Sequence, residues 1–192
     1  MLKTERLVLR RWRDSDRKPF AAMNADPEVM EYFPATLTPD ESDAAIDRIE
    51  AHFEERGFGP WALEIAETGK FIGFTGLSVP GFEAHFIPAV EIEWRLTRSA
   101  WGHGYASEAA HRALTFAFDD LDLAEVVSFT AHTNLRSQRV MNRIGMINDP
   151  ADDFDHPMLD EGNPLRRHVL WRITAEHWRN GTQWPPSAGP QS

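Results

Sequence analysis

The chain has 192 residues, with 30 acidic against 20 basic side chains, a formal charge of −10, a hydrophobic share of 42% and no cysteine. The missing thiols exclude disulfides, thiolate nucleophiles, and thiolate-held zinc or iron–sulfur centres. The acidic charge argues against nonspecific binding to nucleic acid, which rests on neutralising phosphates with Lys and Arg, and the composition predicts a single globular domain.

The sequence shows neither a membrane segment nor an export signal. No stretch approaches the roughly 18 apolar residues that a spanning helix needs. Residues 1–12 alternate charged side chains with Leu and Val, unlike a secretory leader. We therefore expect a cytoplasmic protein that binds neither membranes nor nucleic acid, as a monomer or a homodimer.

The first half of the chain predicts a strand, two helices and a hairpin. Thr38 and Glu41 form the pattern of a capping box at the start of the second helix, and Gly57 ends that helix. Residues 67–69 contain glycine and join two strand-like segments, so an antiparallel hairpin is expected. The predicted elements are a strand at 7–12, a helix from the cap residues 14–16 to 23, a helix at 38–57, and strands at 61–66 and 70–77.

The second half alternates strands and helices. Apolar and charged residues alternate along 89–96, which is typical of a strand with one buried face. The acidic stretch 149–163 has no periodicity and is expected to be a long loop. The other predictions are a loop at 80–88, helices at 105–118 and 134–144, strands at 126–130 and 168–173, and a terminal helix from 174. We expect one mixed α/β domain at 1–184 and a disordered tail at 185–192.

The most informative segment is 95–109, where a strand ends, a turn with Gly102 and Gly104 follows, and a helix opens at once. Main-chain N–H groups and the positive end of a helix dipole converge there, which favours an anion such as a phosphate. Arg95, Arg98 and His103 are expected beside this turn. A tight turn that binds nothing is the alternative. The Gly-Lys-Ser/Thr element of a P-loop and the third glycine of a dinucleotide-binding fold are absent.

Two motifs resemble the GNAT superfamily of acyl-CoA-dependent N-acetyltransferases, and most closely its RimJ/RimL-type branch. The segment 101–109, Trp-Gly-His-Gly-Tyr-Ala-Ser-Glu-Ala, resembles the pyrophosphate-binding loop. Residues 134–137 and 140–146 resemble the helix that flanks pantetheine. The resemblance covers nearly the whole chain, and it departs from the common pattern at Ser99, where relatives often carry Gln or Arg.

The resemblance implies a central, mostly antiparallel sheet whose two middle strands splay into a V-shaped slot. Acetyl-CoA would enter from one side and the acceptor amine from the other. Pantetheine would pair with the strand edge near Leu96, and main-chain amides of the loop would hold the pyrophosphate. The expected cofactor-binding residues are Leu96, Arg98, Trp101, Gly102, His103, Gly104, Tyr105, Ala106, Asn134 and Ser137.

Glu91 and Glu93 are the candidates for a general base, because acetyl transfer needs a neutral amine. They lie two residues apart on one strand and so share a face, with Cα atoms roughly 6.6 Å apart. Like charges in a slot would raise one pKa, whereas Arg95 on the same face would lower it, so the direction is left open. Glu91 matches the acidic position of the branch. Salt-bridged surface carboxylates are the alternative interpretation.

Ser137 is implied by the resemblance as the acid that protonates the leaving thiolate, and Asn134 as a ligand of pantetheine. Both also fit the ordinary role of a cap or first-turn residue of a helix. Eight histidines are present, but none forms the His-Glu-x-x-His pattern, so we expect no metal. His132 is expected to satisfy local backbone groups.

These observations predict an acetyl-CoA-dependent N-acetyltransferase. The acceptor would be a primary amine, either a protein N-terminal α-amine or a small molecule, which attacks the thioester directly in a ternary complex. The absence of cysteine agrees with direct attack, since a thiol acyl-enzyme is impossible. A CoA-binding sensor or scaffold with little turnover is the alternative, and release of free CoA in the presence of amines separates the two.

Overall fold

The computed structural model describes residues 1–181, which form a nine-stranded sheet with helices packed against it. The strands are β1 Leu2–Lys3, β2 Leu7–Arg10, β3 Pro60–Ile65, β4 Phe71–Ser78, β5 Glu91–Leu96, β6 Glu125–Ala131, β7 Ile147–Asn148, β8 Phe154–Asp155 and β9 Arg167–Thr174. The helices are α1 Asp14–Asn24, α2 Pro39–Arg56, α3 Tyr105–Thr115, α4 Leu135–Arg143 and α5 Ala175–Gly181.

The strand order is β1-β2-β3-β4-β5-β6-β9-β7, with β8 pairing with β9. All of these pairs are antiparallel except β5 with β6. Helix α1 packs on the face of the sheet that carries Phe74. Phe20 of α1 makes an edge-to-face contact with Phe74, with ring centroids 6.0 Å apart. Helix α3 continues into Phe116, which contacts Trp61 on the opposite face. The expected mixed α/β architecture is confirmed.

The local signals at the second helix and the hairpin are confirmed. Thr38 Oγ1 accepts a hydrogen bond from the Glu41 N–H at 3.2 Å, and the Thr38 N–H donates to Glu41 Oε2 at 2.7 Å. Gly57 ends the helix with φ +78°, which a residue with a Cβ adopts only with strain. Strands β3 and β4 form the expected antiparallel hairpin.

Strands β5 and β6 part after a single bridge, and this splay creates the slot. Glu91 pairs with Val127, and the Val127 N–H donates to the Val90 carbonyl at 2.9 Å. One residue further, Ser128 Oγ donates to the Ile92 carbonyl at 2.8 Å. By contrast, β4 with β5 and β6 with β9 stay paired along their length. The slot therefore widens from an apex at Glu91 toward the carboxyl ends of both strands.

Several expected boundaries are wrong. The stretch 149–163 is not simply a loop, because Pro150–Asp152 forms a 3-10 turn and β8 pairs Phe154 with His168. A two-residue strand leaves no periodicity to detect in the sequence. The helix expected at 105–118 is α-helical only to Thr115 and continues as a π-turn at Phe116–Asp120. The first expected strand ends at Arg10, and β1 has no counterpart among the expected elements.

The expected cap of the first helix at 14–16 is wrong, because the helix already begins at Asp14 and its cap is Arg13. Asp16 accepts a hydrogen bond from the Arg13 N–H at 2.8 Å, so it serves as the third helical residue of a capping arrangement. The expected tail at 185–192 and the end of the expected domain lie outside the described residues. Within residues 1–181, every helix is too short or too polar to cross a membrane.

Candidate active site

The turn between β5 and α3 is open on its outer side and rich in main-chain donors. Gly102 and Gly104 both have φ +79°, the left-handed region that favours glycine. A Cβ on Gly102 would meet no atom within 4 Å, so the space beside this residue is free. Tyr105 and Ala106 open α3, and N–H groups in the first turn of a helix have no acceptor within it. This geometry suits a phosphate group.

Glu108 fixes this turn to the start of the chain. Its buried carboxylate accepts hydrogen bonds from Arg6 Nε at 2.7 Å, from the Arg6 N–H at 3.1 Å and from Thr4 Oγ1 at 2.5 Å. Arg6 Nη1 also donates to the His103 carbonyl at 3.0 Å, and its guanidinium lies 4.8 Å from the Tyr105 ring centroid. Glu108 therefore has a structural role that the sequence analysis did not assign.

The edge of β5 faces the slot at Leu96, as expected. The Thr97 N–H donates to the Ile72 carbonyl on β4 at 2.9 Å. Main-chain groups alternate sides along a strand, so those of Leu96 and Trp94 point away from β4 and toward the gap. Trp101 Nε1 donates to the Leu96 carbonyl at 2.9 Å, which ties the turn to this edge.

Asn134 and Ser137 occupy the start of α4 on the other wall. Asn134 Oδ1 accepts from the Ser137 N–H at 3.1 Å, so Asn134 caps the helix. Its Nδ2 donates to Thr130 Oγ1 at 2.9 Å. The half-buried Ser137 lies in the first turn of the helix. The guanidinium of Arg136, between the two, lies 4.4 Å from the Trp101 ring centroid and brings α4 against the turn.

The segment between α1 and α2 contacts both walls through ion pairs. Arg98 Nη1 lies 2.9 Å from Glu28 Oε1, and Arg136 pairs with Glu31. All four side chains are about half exposed, so these pairs stabilise the fold only weakly. The predicted phosphate-side cation Arg98 is thus held by a carboxylate in this structure.

Glu91 and Glu93 lie at and just beyond the apex of the slot, and both are half-buried. Burial raises the pKa of Glu91 well above its ordinary value, and the nearby charge of Glu93 raises it further. Burial also raises the pKa of Glu93, while Arg95 and a hydrogen bond from Ser78 act in the opposite direction. The direction that the sequence leaves open is therefore upward for both carboxyls.

Arg95 contacts the segment between α1 and α2, and the expectation that it stands beside the turn at 101–106 is wrong. Its Nη1 donates to Asn24 Oδ1 at 2.8 Å, and its guanidinium carbon lies 3.9 Å from the Phe33 ring centroid. Residues two apart on a strand share a face, so Arg95 follows Glu93 on the face away from α3. Burial lowers the pKa of Arg95 to about 10.

An aromatic and histidine cluster extends the same face on the β6 side, and sequence reasoning missed Phe129 and the two histidines in it. Val127 is the bridge partner of Glu91, and Phe129 lies two residues further along β6. Phe129 is therefore on the same face of the sheet as Val127 and Glu91. His156 and His168 have ring centroids 4.9 Å apart, and Phe82 lies 4.6 Å from His156. The members of this cluster are Phe82, Phe86, Phe129, Phe154, His156 and His168.

Burial lowers the pKa of His168 to about 4 and also lowers that of His156. His132 lies outside this cluster, with Nδ1 3.3 Å from the Arg167 carbonyl oxygen, as expected for a residue that satisfies local backbone. Nowhere in residues 1–181 do three His, Asp or Glu side chains come close enough together to hold a metal ion.

Comparison with known proteins identifies the class. Residues 6–147 match the family model described as Acetyltransferase (GNAT) domain. FsC-acetyl coenzyme A-N(2)-transacetylase of Aspergillus fumigatus is 31% identical over 194 residues, covering 92% of this chain and 77% of the relative. The chain therefore belongs to the GNAT acetyltransferase family.

Solved structures agree on the fold. An acetyltransferase of the GNAT family from Bacillus anthracis has a TM-score of 0.75 at 22% identity, covering 91% of this chain and 98% of that one. A spermidine N-acetyltransferase from Vibrio cholerae, solved in complex with CoA and spermine, has a TM-score of 0.71 at 18% identity, covering 92% and 100%. The predicted fold and the predicted enzyme class, a GNAT-type N-acetyltransferase, are confirmed.

Proposed function

We propose that the protein transfers an acetyl group from acetyl-CoA to a primary amine, as an enzyme of the RimJ/RimL type. The observation that carries this proposal is one slot with two different sides. The turn at 102–106 offers main-chain N–H groups on one side, and the half-buried carboxyls of Glu91 and Glu93 lie on the other. An anionic cofactor and an amine would therefore meet between the splayed strands.

The residues present fit acetyl-CoA. The N–H groups around Gly102, Gly104, Tyr105 and Ala106 would hold the pyrophosphate, because that turn leaves space beside the main chain. The edge of β5 near Leu96 that is not paired with β4 would hydrogen-bond the pantetheine chain as an added strand would. The remaining cofactor contacts are assigned to Arg98, Trp101, His103, Asn134 and Ser137. When bound, acetyl-CoA supplies an activated acyl group on a thiolate leaving group.

Glu91 is proposed as the base that takes a proton from the acceptor ammonium, directly or through one water. A carboxyl whose pKa is raised by burial is a stronger base than an exposed one, and its pKa comes closer to that of an amine. Glu93 is the second candidate for this role. Ser137, in the first turn of α4, is proposed to return a proton to the leaving thiolate. No thiol is present in the chain, so the amine would attack the thioester directly.

Replacing Glu91 by Gln tests the base. We expect kcat/KM to fall by about a hundredfold, at the lower end of general-base contributions. The deficit is largest between the raised pKa of Glu91 and the pKa of the acceptor amine, because only there does an ionised base meet a protonated amine. Above the amine pKa the variant and the wild type converge. Release of free CoA from acetyl-CoA across pH is the measurement.

Glu83→Gln, in the loop before β5, is the matched control and leaves the profile unchanged. Affinity for acetyl-CoA, measured by calorimetry, stays the same in both variants. An identical pH profile in Glu91→Gln and wild type removes Glu91 as the base. Binding of acetyl-CoA without CoA release for any amine in a broad panel replaces the enzyme by the alternative, a CoA-binding sensor.

A further inference from the structure

Arg95 is a half-buried cation without a counter-ion in contact. Within residues 1–181 its guanidinium donates one hydrogen bond, from Nη1 to the neutral Asn24 Oδ1. Its Nε is buried and has no hydrogen-bond partner. Glu93 acts on Arg95 through space, without a hydrogen bond between them. Removing a charge from water without pairing it is costly, so this arrangement calls for a functional reason.

The remaining N–H donors of the Arg95 guanidinium lie along one edge. Because Nη1 is used by Asn24, the edge formed by Nε and Nη2 is left without a hydrogen-bond partner among residues 1–181. Two parallel N–H groups on that edge match the two oxygens of a carboxylate. One face of the guanidinium stacks on Phe33, which fixes its plane. Phe33 is itself exposed at 36% and belongs to the segment between α1 and α2.

The position of this edge relates it to the proposed chemistry. Arg95 lies two residues from Glu93 and four from Glu91 on one face of β5. A small acceptor held with its amine near the carboxyl pair would present its neighbouring atoms toward Arg95. The line of acidic, acidic and basic groups is complementary to a molecule that carries both an amine and an anion.

We propose that Arg95 binds a carboxylate of the acceptor, and that the acceptor is therefore an amino acid or a similar primary amine with a carboxylate a few bonds away. This inference rests on the proposed function. It makes Arg95 a specificity-determining residue, and it assigns Asn24 and Phe33 to holding the guanidinium in place. A polyamine would place a second cation against Arg95 and be rejected.

Matched acceptors test the proposal. CoA release is measured with the twenty amino acids, with the corresponding amino-acid amides and with spermidine. The wild type is expected to prefer acids over their amides by at least tenfold in kcat/KM, with the difference residing in KM. Arg95→Gln abolishes the preference, and Arg95→Lys keeps part of it. Arg48→Gln, at an exposed position on α2, leaves it intact.

Two further measurements separate the possible failures. The thermal shift with acetyl-CoA is expected to be equal in wild type and Arg95→Gln, which shows that the variant folds. Calorimetry with the CoA-loaded protein measures amino-acid binding without turnover. Equal acetylation of acids and amides overturns the role of Arg95 and leaves the proposed function standing. Binding of an acid that depends on Arg95, without acetylation, supports the carboxylate site and overturns the reaction. If no acceptor in the panel is bound or acetylated, both the role of Arg95 and the proposed function are overturned.

Discussion

The two sides of the slot, which we assign to the cofactor and to the acceptor, are built from different groups. The proposed cofactor side is mostly main chain: glycines at φ +79°, the first turn of α3 and the edge of β5 beyond its bridge to β6. The acceptor side is side chain: Glu91, Glu93 and Arg95 on one wall, and histidines and phenylalanines on the other. A main-chain site does not titrate, and it responds to a substitution mainly where the new side chain fills the space beside its N–H groups. A side-chain site responds to pH and can change its ligand through single substitutions.

A substitution at Gly102 tests whether the cofactor side is made of main chain. Gly102→Val places a β-branched residue at φ +79° and puts a side chain into the space beside the N–H groups. We expect affinity for acetyl-CoA to fall at least a hundredfold, which is about 2.7 kcal/mol. Isothermal titration of acetyl-CoA measures this loss.

Gly57 offers a matched control, because it has φ +78° at the end of α2 and a Cβ there would also meet no atom within 4 Å. Gly57→Val carries the same backbone strain away from the slot, so it lowers the melting temperature and preserves acetyl-CoA binding. Equal loss of affinity in both variants would mean that strain, and not the filled cradle, explains the result.

The same difference between main-chain groups of one segment and side chains from distant segments determines what can be predicted from the sequence. Gly102 and Gly104 lie within one short segment, so the cofactor side is visible as a local pattern. The contacts of Arg95 with Asn24 and Phe33 join residues about 60 to 70 positions apart. No local pattern encodes such a contact, which is why the sequence places Arg95 beside the wrong ligand. The capping box at Thr38 is local and is predicted correctly, whereas the two-residue strand β8 depends wholly on its partner β9.

We expect the protein to lose stability in mild acid because of the histidines on the proposed acceptor side. The pKa of His168 is about 4 in the folded protein against 6.5 as its ordinary value. The unfolded chain therefore binds the proton first as pH falls, and stability present above pH 6.5 is lost toward pH 4. We expect a loss of about 1.5 kcal/mol between about pH 6.5 and 5, measured by urea unfolding. His156 contributes in the same direction.

His168→Asn removes this titration while keeping a donor for the Arg166 carbonyl, which the His168 ring approaches to 3.1 Å. The variant is less stable at neutral pH, but its stability changes less across this pH window. The exposed His177→Asn serves as the control and keeps the wild-type slope. A wild-type slope in His168→Asn would show that His168 does not contribute to the acid sensitivity, which would then come from other titrating groups.

The smallest expected effect concerns the one place where a charged side chain is assigned to the cofactor side. Arg98 pairs with Glu28 in this structure, so a phosphate must compete with that carboxylate. Glu28→Gln releases Arg98 and is expected to tighten acetyl-CoA binding about two- to threefold, or about 0.5 kcal/mol, which is typical of an exposed ion pair. Titration calorimetry at low ionic strength measures the change, and added salt reduces it.

Two comparisons identify the origin of that gain. Glu31→Gln removes the same charge from the same segment but releases Arg136 instead, so its effect on affinity is expected to be smaller. In an Arg98→Gln background, Glu28→Gln should change nothing, because the released cation is absent. An equal gain from Glu28→Gln and Glu31→Gln, persisting without Arg98, would reduce the effect to the general acidity of the chain. The pyrophosphate would then be held by main chain throughout, and only the acceptor side would depend on charged side chains.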